Sequence, residues 1–326
     1  MEGGPINVSV VVRTLNSERT IDDCLKSLFS QTYRDYEVLV IDDHSVDRTL
    51  QIAHKYRTRV FQNLPGKNPC NRGIEQATGE VIAFIDSDCV APSTWLGRMV
   101  ECFEDENVAV VGGEELAPPT SKYWPRCFEP LRRMEKRFLY HWGSVERIIT
   151  CNVAYRRDAL IEVGGFNDLL FGGEEVELGW RLSKRKCKVI FDPELVVLHN
   201  RRSSLARYFR QQFGLGLGNG RVVRMHPDYI KPSHIVTGAL PSIAILLIAL
   251  LVIGRTSLAL YMTSILLTVA ALTAMYLGFV ANEVKLIPGI FISSLAFILA
   301  RCSGFLIGLS VATSKRIAPC DQRQVQ

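Results

Sequence analysis

The chain has 326 residues, 48% of them hydrophobic and 22% charged, which is enough for one sizeable core and something more. A formal net charge of +5 is too small to argue for nucleic acid, and no such partner is expected. The nine cysteines include no Cys-x-x-Cys pair, and an odd, scattered set argues against both a disulfide framework and a zinc site.

The N-terminus, MEGGPINVSVVV, lacks the basic stretch and cleavage site of a signal peptide, so the domain that follows is expected in the cytoplasm. Val8–Val12 is an unbroken β-branched run, the pattern of a strand buried on both faces of a parallel sheet. Ser17–Ser30 places Ile21, Cys24, Leu25 and Leu28 at helical spacing. Glu37–Ile41 predicts a strand, Asp47–Tyr56 a helix, Val60 and Phe61 a short strand, Asn71–Ala77 a helix and Val81–Ile85 another strand. This alternation implies βαβ units and a parallel sheet. Polar clusters close three of the strands: Arg13–Asn16, Asp42–Ser45 and Asp86–Asp88. Ligands of open α/β sheets bind outside the carboxyl ends of the strands, so these clusters should meet at one site. From Val108 to Arg202 the pattern is mixed, with strand-like runs at Val108–Val111 and Lys188–Phe191 and a helical stretch at Val176–Lys186.

Three apolar segments follow, Ile235–Ile253, Leu258–Ala281 and Leu286–Ala312, each near the ~20 residues that cross the hydrocarbon. At least two should span. The chain thus divides into a soluble domain over 1–230, a transmembrane region over 235–312 and a polar tail over 313–326. Within the first, 201–230 reads as a basic juxtamembrane stretch, with Arg207, Arg210 and Gln211 on an amphipathic helix lying along the membrane or simply solvated. With the first domain inside, three full spans would put Lys315, Arg316 and Arg323 outside, against the positive-inside tendency. One segment is then re-entrant, and both the first (Gly238, Pro241) and the third (Arg301 in mid-run) are candidates.

Asp86-Ser87-Asp88 sets two carboxylates just beyond a strand, where both can approach one magnesium or manganese ion; the alternative is a solvated acidic loop. Asp43 can accept from a nucleobase or ribose, or can cap the next helix. Glu174, Glu175 and Glu177 follow the turn Gly172-Gly173; acids suit a helix N-terminus, and like charges so close push one toward service as a base. His199, beside Arg201 and Arg202, reads as a metal or phosphate ligand or as a structural histidine.

In order, VSVVVRTLNSERT, SLFSQTYRDYEVLVIDDHSVDRT, NRGIEQATGEVIAFIDSD, VGGFND and GGEEVELGWRL resemble the motifs of family 2 glycosyltransferases, over about residues 6–215. The resemblance implies the GT-A fold, a Rossmann-like, mainly parallel sheet with flanking helices, here followed by the transmembrane helical region. It implies nucleoside contacts from Thr14, Asn16, Glu18 and Asp43, a donor ribose or sugar on Asp86, and a divalent metal (Mg2+ or Mn2+) on Asp88. His199 would complete the metal shell. Glu175 would be the base that deprotonates the acceptor, standing where the family has Asp, with Glu174 beside it. The sequence departs from the family at Arg13, often Pro, and at Cys70, often Arg; Lys67 is then the candidate cation for the diphosphate.

The expected activity is inverting transfer of a sugar from a nucleotide-sugar to a hydroxyl of a membrane acceptor, such as a polyprenyl-linked glycan, by an integral membrane enzyme working at the cytoplasmic face. A polyprenyl-phosphate sugar synthase is the nearest alternative, although DSDCV stands where that branch usually has Asp-Ala-Asp-Leu-Gln and an ionised phosphate acceptor needs no base. A processive polysaccharide synthase would show Gln-x-x-Arg-Trp, and RQQFG stands near its place. A catalytically silent adaptor would show damaged acidic motifs, and none is damaged.

Overall fold

The computed structural model describes residues 6–141, 151–170, 172–200, 204–230, 234, 237, 250 and 252–311. Two compact units emerge: Met1–Ser121, Leu139–Asp168 and Glu174–Arg201 form the first, and Lys122–Phe138, Leu169–Gly173 and Arg202–Gln326 the second. The stretch 202–230 thus clusters with the apolar helices, as do two short pieces from earlier in the chain.

The first unit opens as the sequence pattern implies, with β1 (Val8–Thr14), α1 (Ile21–Phe29), β2 (Tyr36–Asp42), α2 (Thr49–Ala53), β3 (Arg59–Gln62), α3 (Pro69–Gln76) and β4 (Val81–Asp86). The four strands are parallel in the order β3-β2-β1-β4, with Val8 opposite both Tyr36 and Val81. β1 and β4 are buried through almost their whole length, which is why they read as unbroken apolar runs. α1 starts at Ile21 rather than Ser17, because Ser17–Thr20 is spent on a turn in which the Thr20 amide bonds the Ser17 carbonyl. Its face of Ile21, Cys24, Leu25 and Leu28 enters the core.

Beyond β4, where the sequence pattern is mixed, the strands run in both senses. β5 (Cys89–Val90), α4 (Trp95–Cys102), β6 (Val108–Leu116), β7 (Asn152–Arg156), α6 (Arg157–Glu162), α7 (Glu174–Lys184) and β8 (Lys188–His199) complete a mixed eight-stranded sheet, ordered β3-β2-β1-β4-β7-β6-β8-β5. β7 runs antiparallel to both β4 and β6, and β5 antiparallel to β8. A five-residue strand such as β7 is too short to show a period, and only its partners reveal it. α5 (Tyr123–His141), in the second unit over 122–138, has Pro130 inside it, a residue that reads as a helix breaker.

The second unit is helical: α5, α8 (Leu205–Met225), α9 (Thr256–Val280) and α10 (Ile287–Ser310). Its core gathers Phe128, Leu131, Tyr208, Ala274, Leu277 and Ile290, and the Phe128 and Tyr208 rings stack at 3.9 Å. α8 and α10 meet on bare backbone. A Cβ on Gly216 would stand 2.2 Å from the Arg301 carbonyl oxygen, one on Gly220 2.2 Å from that of Phe305, and one on Gly308 2.2 Å from that of Leu217. Gly216-x-x-x-Gly220 therefore faces Gly304-x-x-x-Gly308, the arrangement by which small residues let helices touch in an apolar medium. From Gly216 to Val223 most residues of α8 are buried, while Phe209 and Arg210 are exposed and Arg207 and Gln211 half-buried.

α9, and α10 with the turn before it, are long and apolar enough to cross a membrane by length and composition. Large side chains such as Leu260 and Tyr276 point outward on α9. The first apolar segment, Ile235–Ile253, lies almost wholly outside the described residues, as do Arg201, Arg202 and the tail 313–326. Arg301, expected to face protein, water or a phosphate, faces protein: its Nη2 donates to Gln212 at 2.6 Å and to Glu135 at 3.3 Å, with the guanidinium 5.0 Å from the Phe297 ring.

Candidate active site

The carboxyl ends of β1, β2 and β4 bring the first three polar clusters together. Thr14 lies at the end of β1, 4% exposed, with its hydroxyl buried and unpartnered, while its carbonyl accepts from the Asp43 amide at 2.9 Å. Asn16 follows in the left-handed region (φ 49°), accepting from the Val46 amide at 2.9 Å, so the two loops are laced. Glu18 receives Arg48 Nε at 3.2 Å. The two readings left open for the double Asp now separate. Asp42 is fully buried and accepts from the Ser45 amide and hydroxyl at 3.0 and 2.5 Å, so it holds the turn. Asp43 is half-buried and accepts from Asn63 at 2.8 Å, and it is Asp47 that receives the Thr49 amide at the start of α2.

Two other motifs, nearly a hundred residues apart, form one clamp. Asn71 donates to the Phe166 carbonyl and accepts from the Phe166 amide, both at 2.8 Å, and a Cβ on Gly165 would lie 2.6 Å from its oxygen. Asp168 accepts from Lys67 Nζ at 2.8 Å and from the Asn68 amide at 2.7 Å. Lys67 is thus engaged with Asp168. The cation on the Asp-x-Asp motif is instead Arg13, whose Nη2 and Nε reach Asp86 Oδ1 at 2.6 and 2.9 Å. Burial works against the Arg13 charge, but Asp86, then Cys70 and Glu175, override it and raise its pKa well above the usual value. The guanidinium therefore sits in the field of Asp86, Cys70 and Glu175 together. Cys70 stands where the resemblance led one to expect an arginine, and Arg13 brings its charge to that same side.

Asp86, Asp88 and His199 present ligand atoms within 4.8 Å of one another, a donor set of carboxylate oxygens and imidazole that fits a hard to borderline divalent ion. Register produces this proximity, since Cys89 pairs with His199 across β5 and β8 and the Asn200 amide bonds the Asp88 carbonyl at 2.9 Å. His199 Nε2 lies 3.3 Å from Asp88, and Nδ1 lies 3.0 Å from Glu115 Oε2. Burial opposes a charge on the ring, yet Asp88 and the groups beside it raise its pKa to about 10. Glu115 on β6, 1% exposed, had no signal in the sequence, because strand acids usually face water. A proton held on Nδ1 toward Glu115 leaves Nε2 as the free ligand, the orientation that carboxylates commonly impose on metal-binding histidines.

α7 begins at Glu174, with all three acids in its first turn. They are not equivalent. Glu177 is 2% exposed and bound to Arg181 Nη2 at 2.7 Å, and Arg181 also caps the carbonyls of Val163 and Gly165. That pair holds the helix. Glu174 is buried, while Glu175 is half-buried and close enough to Arg13 and Tyr155 for its charge to act on both.

The model of the family described as "Glycosyl transferase family 2" matches residues 9–164. The glycosyltransferase AglE of Haloferax volcanii is 30% identical over 227 residues, which is 66% of this chain and 73% of AglE. The chain belongs to glycosyltransferase family 2. This family 2 glycosyltransferase is also 28% identical, over 177 residues, to the glucosyl-dolichyl phosphate glucuronosyltransferase of the same organism, covering 50% of this chain and 56% of that one. It spans only about half the length of several other relatives. The mannosyltransferase PcManGT of Pyrobaculum calidifontis, solved with GDP-Man and Mn2+, superposes with a TM-score of 0.61 at 20% identity, over 90% of this chain and 88% of the other. The expected GT-A fold is therefore met.

Proposed function

We propose that this enzyme catalyses inverting, metal-dependent transfer of a sugar from its nucleotide-sugar donor to a hydroxyl of a polyprenyl-linked glycan, at the cytoplasmic face of a membrane crossed by α9 and α10. The observation that carries this reading is the convergence of Asp86, Asp88 and His199, with Arg13 bound to Asp86 in the field of Glu175. Thr14, Asn16, Glu18 and Asp43 hold the nucleoside, the unpartnered Thr14 hydroxyl being free to bond it. Asp88 and His199 would hold Mg2+ or Mn2+, which when bound offsets the charge of the departing nucleoside diphosphate. Arg13 orients Asp86 toward the donor sugar, and Lys67 remains the candidate cation for the diphosphate. Glu175 accepts the acceptor hydroxyl's proton as its oxygen attacks the anomeric carbon, and Glu174 supports it. A lipid-linked acceptor is supported by the apolar outer face of α9 and by the relative named for acting on glucosyl-dolichyl phosphate.

The test is transfer by the full-length protein in detergent, across a panel of nucleotide-sugars, with a membrane lipid extract as acceptor. Asp88→Ala should reduce transfer to background, and a chelator should do the same until Mn2+ is restored. Full activity in the chelator would overturn the metal-dependent reading.

A further inference from the structure

Behind the Asp-x-Asp motif lies a second cluster of different chemistry. Cys89 and Cys151, 0% and 1% exposed, present their sulfurs within 4.8 Å of each other and of a His199 nitrogen. Cys151 Sγ lies 2.8 Å from Glu115 Oε2, the same oxygen that stands 3.0 Å from His199 Nδ1. Glu115 therefore links Cys151 to the Nδ1 side of the ring, while Asp88 faces Nε2 and lies 4.0 Å from Cys89 Sγ. We propose that Cys89, Cys151, Glu115 and His199 Nδ1 form a second, thiolate-rich metal site suited to Zn2+, and that its occupation takes His199 away from the ion at Asp88.

Two thiolates, one imidazole and one carboxylate make a full tetrahedral zinc set, whose donors stand roughly 3.3–3.8 Å apart. Cys89, Cys151 and His199 lie within 4.8 Å of one another, and Glu115 Oε2, at 2.8 Å from Cys151 Sγ and 3.0 Å from Nδ1, would move outward as the ion enters. All four come from or beside adjacent strands, β5, β6, β7 and β8, and a sheet holds ligands more firmly than loops do. Binding would release the two thiol protons, since thiolate is the ligand form. The softness of sulfur selects zinc over magnesium or manganese, so the two sites would sort their ions by chemistry.

Antagonism follows from the ring itself. A neutral imidazole has one bare nitrogen and one that carries hydrogen. With zinc on Nδ1, the hydrogen sits on Nε2, which can then donate to Asp88 but cannot ligate the ion there. Loss of one such contribution typically weakens a metal site roughly 10–100-fold. Zinc would act as an inhibitor by withdrawing His199 from the ion at Asp88.

This inference rests on His199 serving the ion at Asp88, and the experiment separates the two claims. CdCl2 added to the full-length protein in detergent should raise a cadmium–thiolate charge-transfer absorption, saturating at one equivalent. Cys89→Ser and Cys151→Ser should each abolish it, whereas Cys102→Ser and Cys187→Ser should keep it. Absence of the band in the wild type, or its persistence in both site variants, would overturn the second site whatever the enzyme transfers. With one equivalent of Zn2+ bound, the Mn2+ concentration for half-maximal Mn2+ binding should rise roughly 10–100-fold, and Cys151→Ser should remove that shift. An unchanged Mn2+ titration beside a clear cadmium band would overturn the sharing of His199.

Discussion

The two units solve the packing problem in opposite ways. In the first, side chains fill the space: β1, β2 and β4 bury Val10, Val40 and Ala83 against Ile21, Cys24 and Leu28 of α1, and polar groups collect only where strands end. In the second, the key contact is made by leaving side chains out, with Gly216 and Gly220 of α8 against Gly304 and Gly308 of α10. Polar groups differ as well. Arg13 and Asp86 are each about a quarter exposed at the site, whereas Arg301 is sealed among Gln212, Glu135 and Phe297. Water drives the first arrangement by expelling apolar surface, and close van der Waals contact suits the second in a medium as apolar as the helices. On the proposed function, chemistry belongs to the first unit and membrane attachment to the second.

The largest effect that would test this division is at Glu175. Glu175→Gln keeps size and hydrogen bonding but removes proton-accepting power, so single-turnover transfer should fall roughly 10²–10⁴-fold with donor affinity unchanged. Glu174→Gln should cost less. Wild-type transfer by Glu175→Gln would point to a phosphate acceptor, which needs no base, and so to a polyprenyl-phosphate sugar synthase.

Gly308→Val probes the other side. Its added carbons meet the Leu217 carbonyl, and overpacking of this kind costs about 1–3 kcal/mol. The expected outcome is a lower Tm in detergent with unaltered nucleotide affinity by calorimetry. A folded variant unable to bind nucleotide would break the separation of tasks.

Arg13→Ala should raise the KM for donor about tenfold, equivalent to ~1.4 kcal/mol, and Arg13→Lys should restore only part, because a single ammonium cannot reproduce the two-pronged contact with Asp86. Steady-state kinetics at fixed acceptor would show it. An unchanged KM would show that the contact with Asp86 does not serve the donor.

The smallest effect concerns the amino end of the same parallel strands, where Glu37 stands near the start of β2. Burial would raise the Glu37 carboxyl, but donors from Thr78, Ser9 and Arg59 hold it down at about 2. A depressed carboxylate stabilises the fold above its unfolded value of about 4.3, and that contribution is lost as pH falls from there toward 2. Acid unfolding of wild type should therefore be steeper over that window than that of Glu37→Gln, monitored by circular dichroism.

Sequence legibility tracks the same contrast. The carboxyl ends of β1, β2 and β4 could be read because buried parallel strands need unbroken apolar runs, and polar residues after them mark where the runs stop. The apolar helices α9 and α10 declared themselves by length. Asp86, Asp88 and Glu175 drew notice by their places, after a buried strand and after a glycine turn, and by the family motifs they resemble. What the sequence hid depends on partners. Glu115, Cys89 and Cys151 carry no mutual spacing, and the antiparallel insertion of β7 and the β5–β8 register bring them to His199. Arg13 looked like a departure at a loop until its contact with Asp86 gave it a place. The glycines of α8 drew no reading in the sequence, and their purpose shows only with α10 against them. Local pattern is set by which face of an element is buried, a property each segment carries alone. Which residues meet is set by strand order, register and helix crossing, and those exist only once the chain has closed on itself.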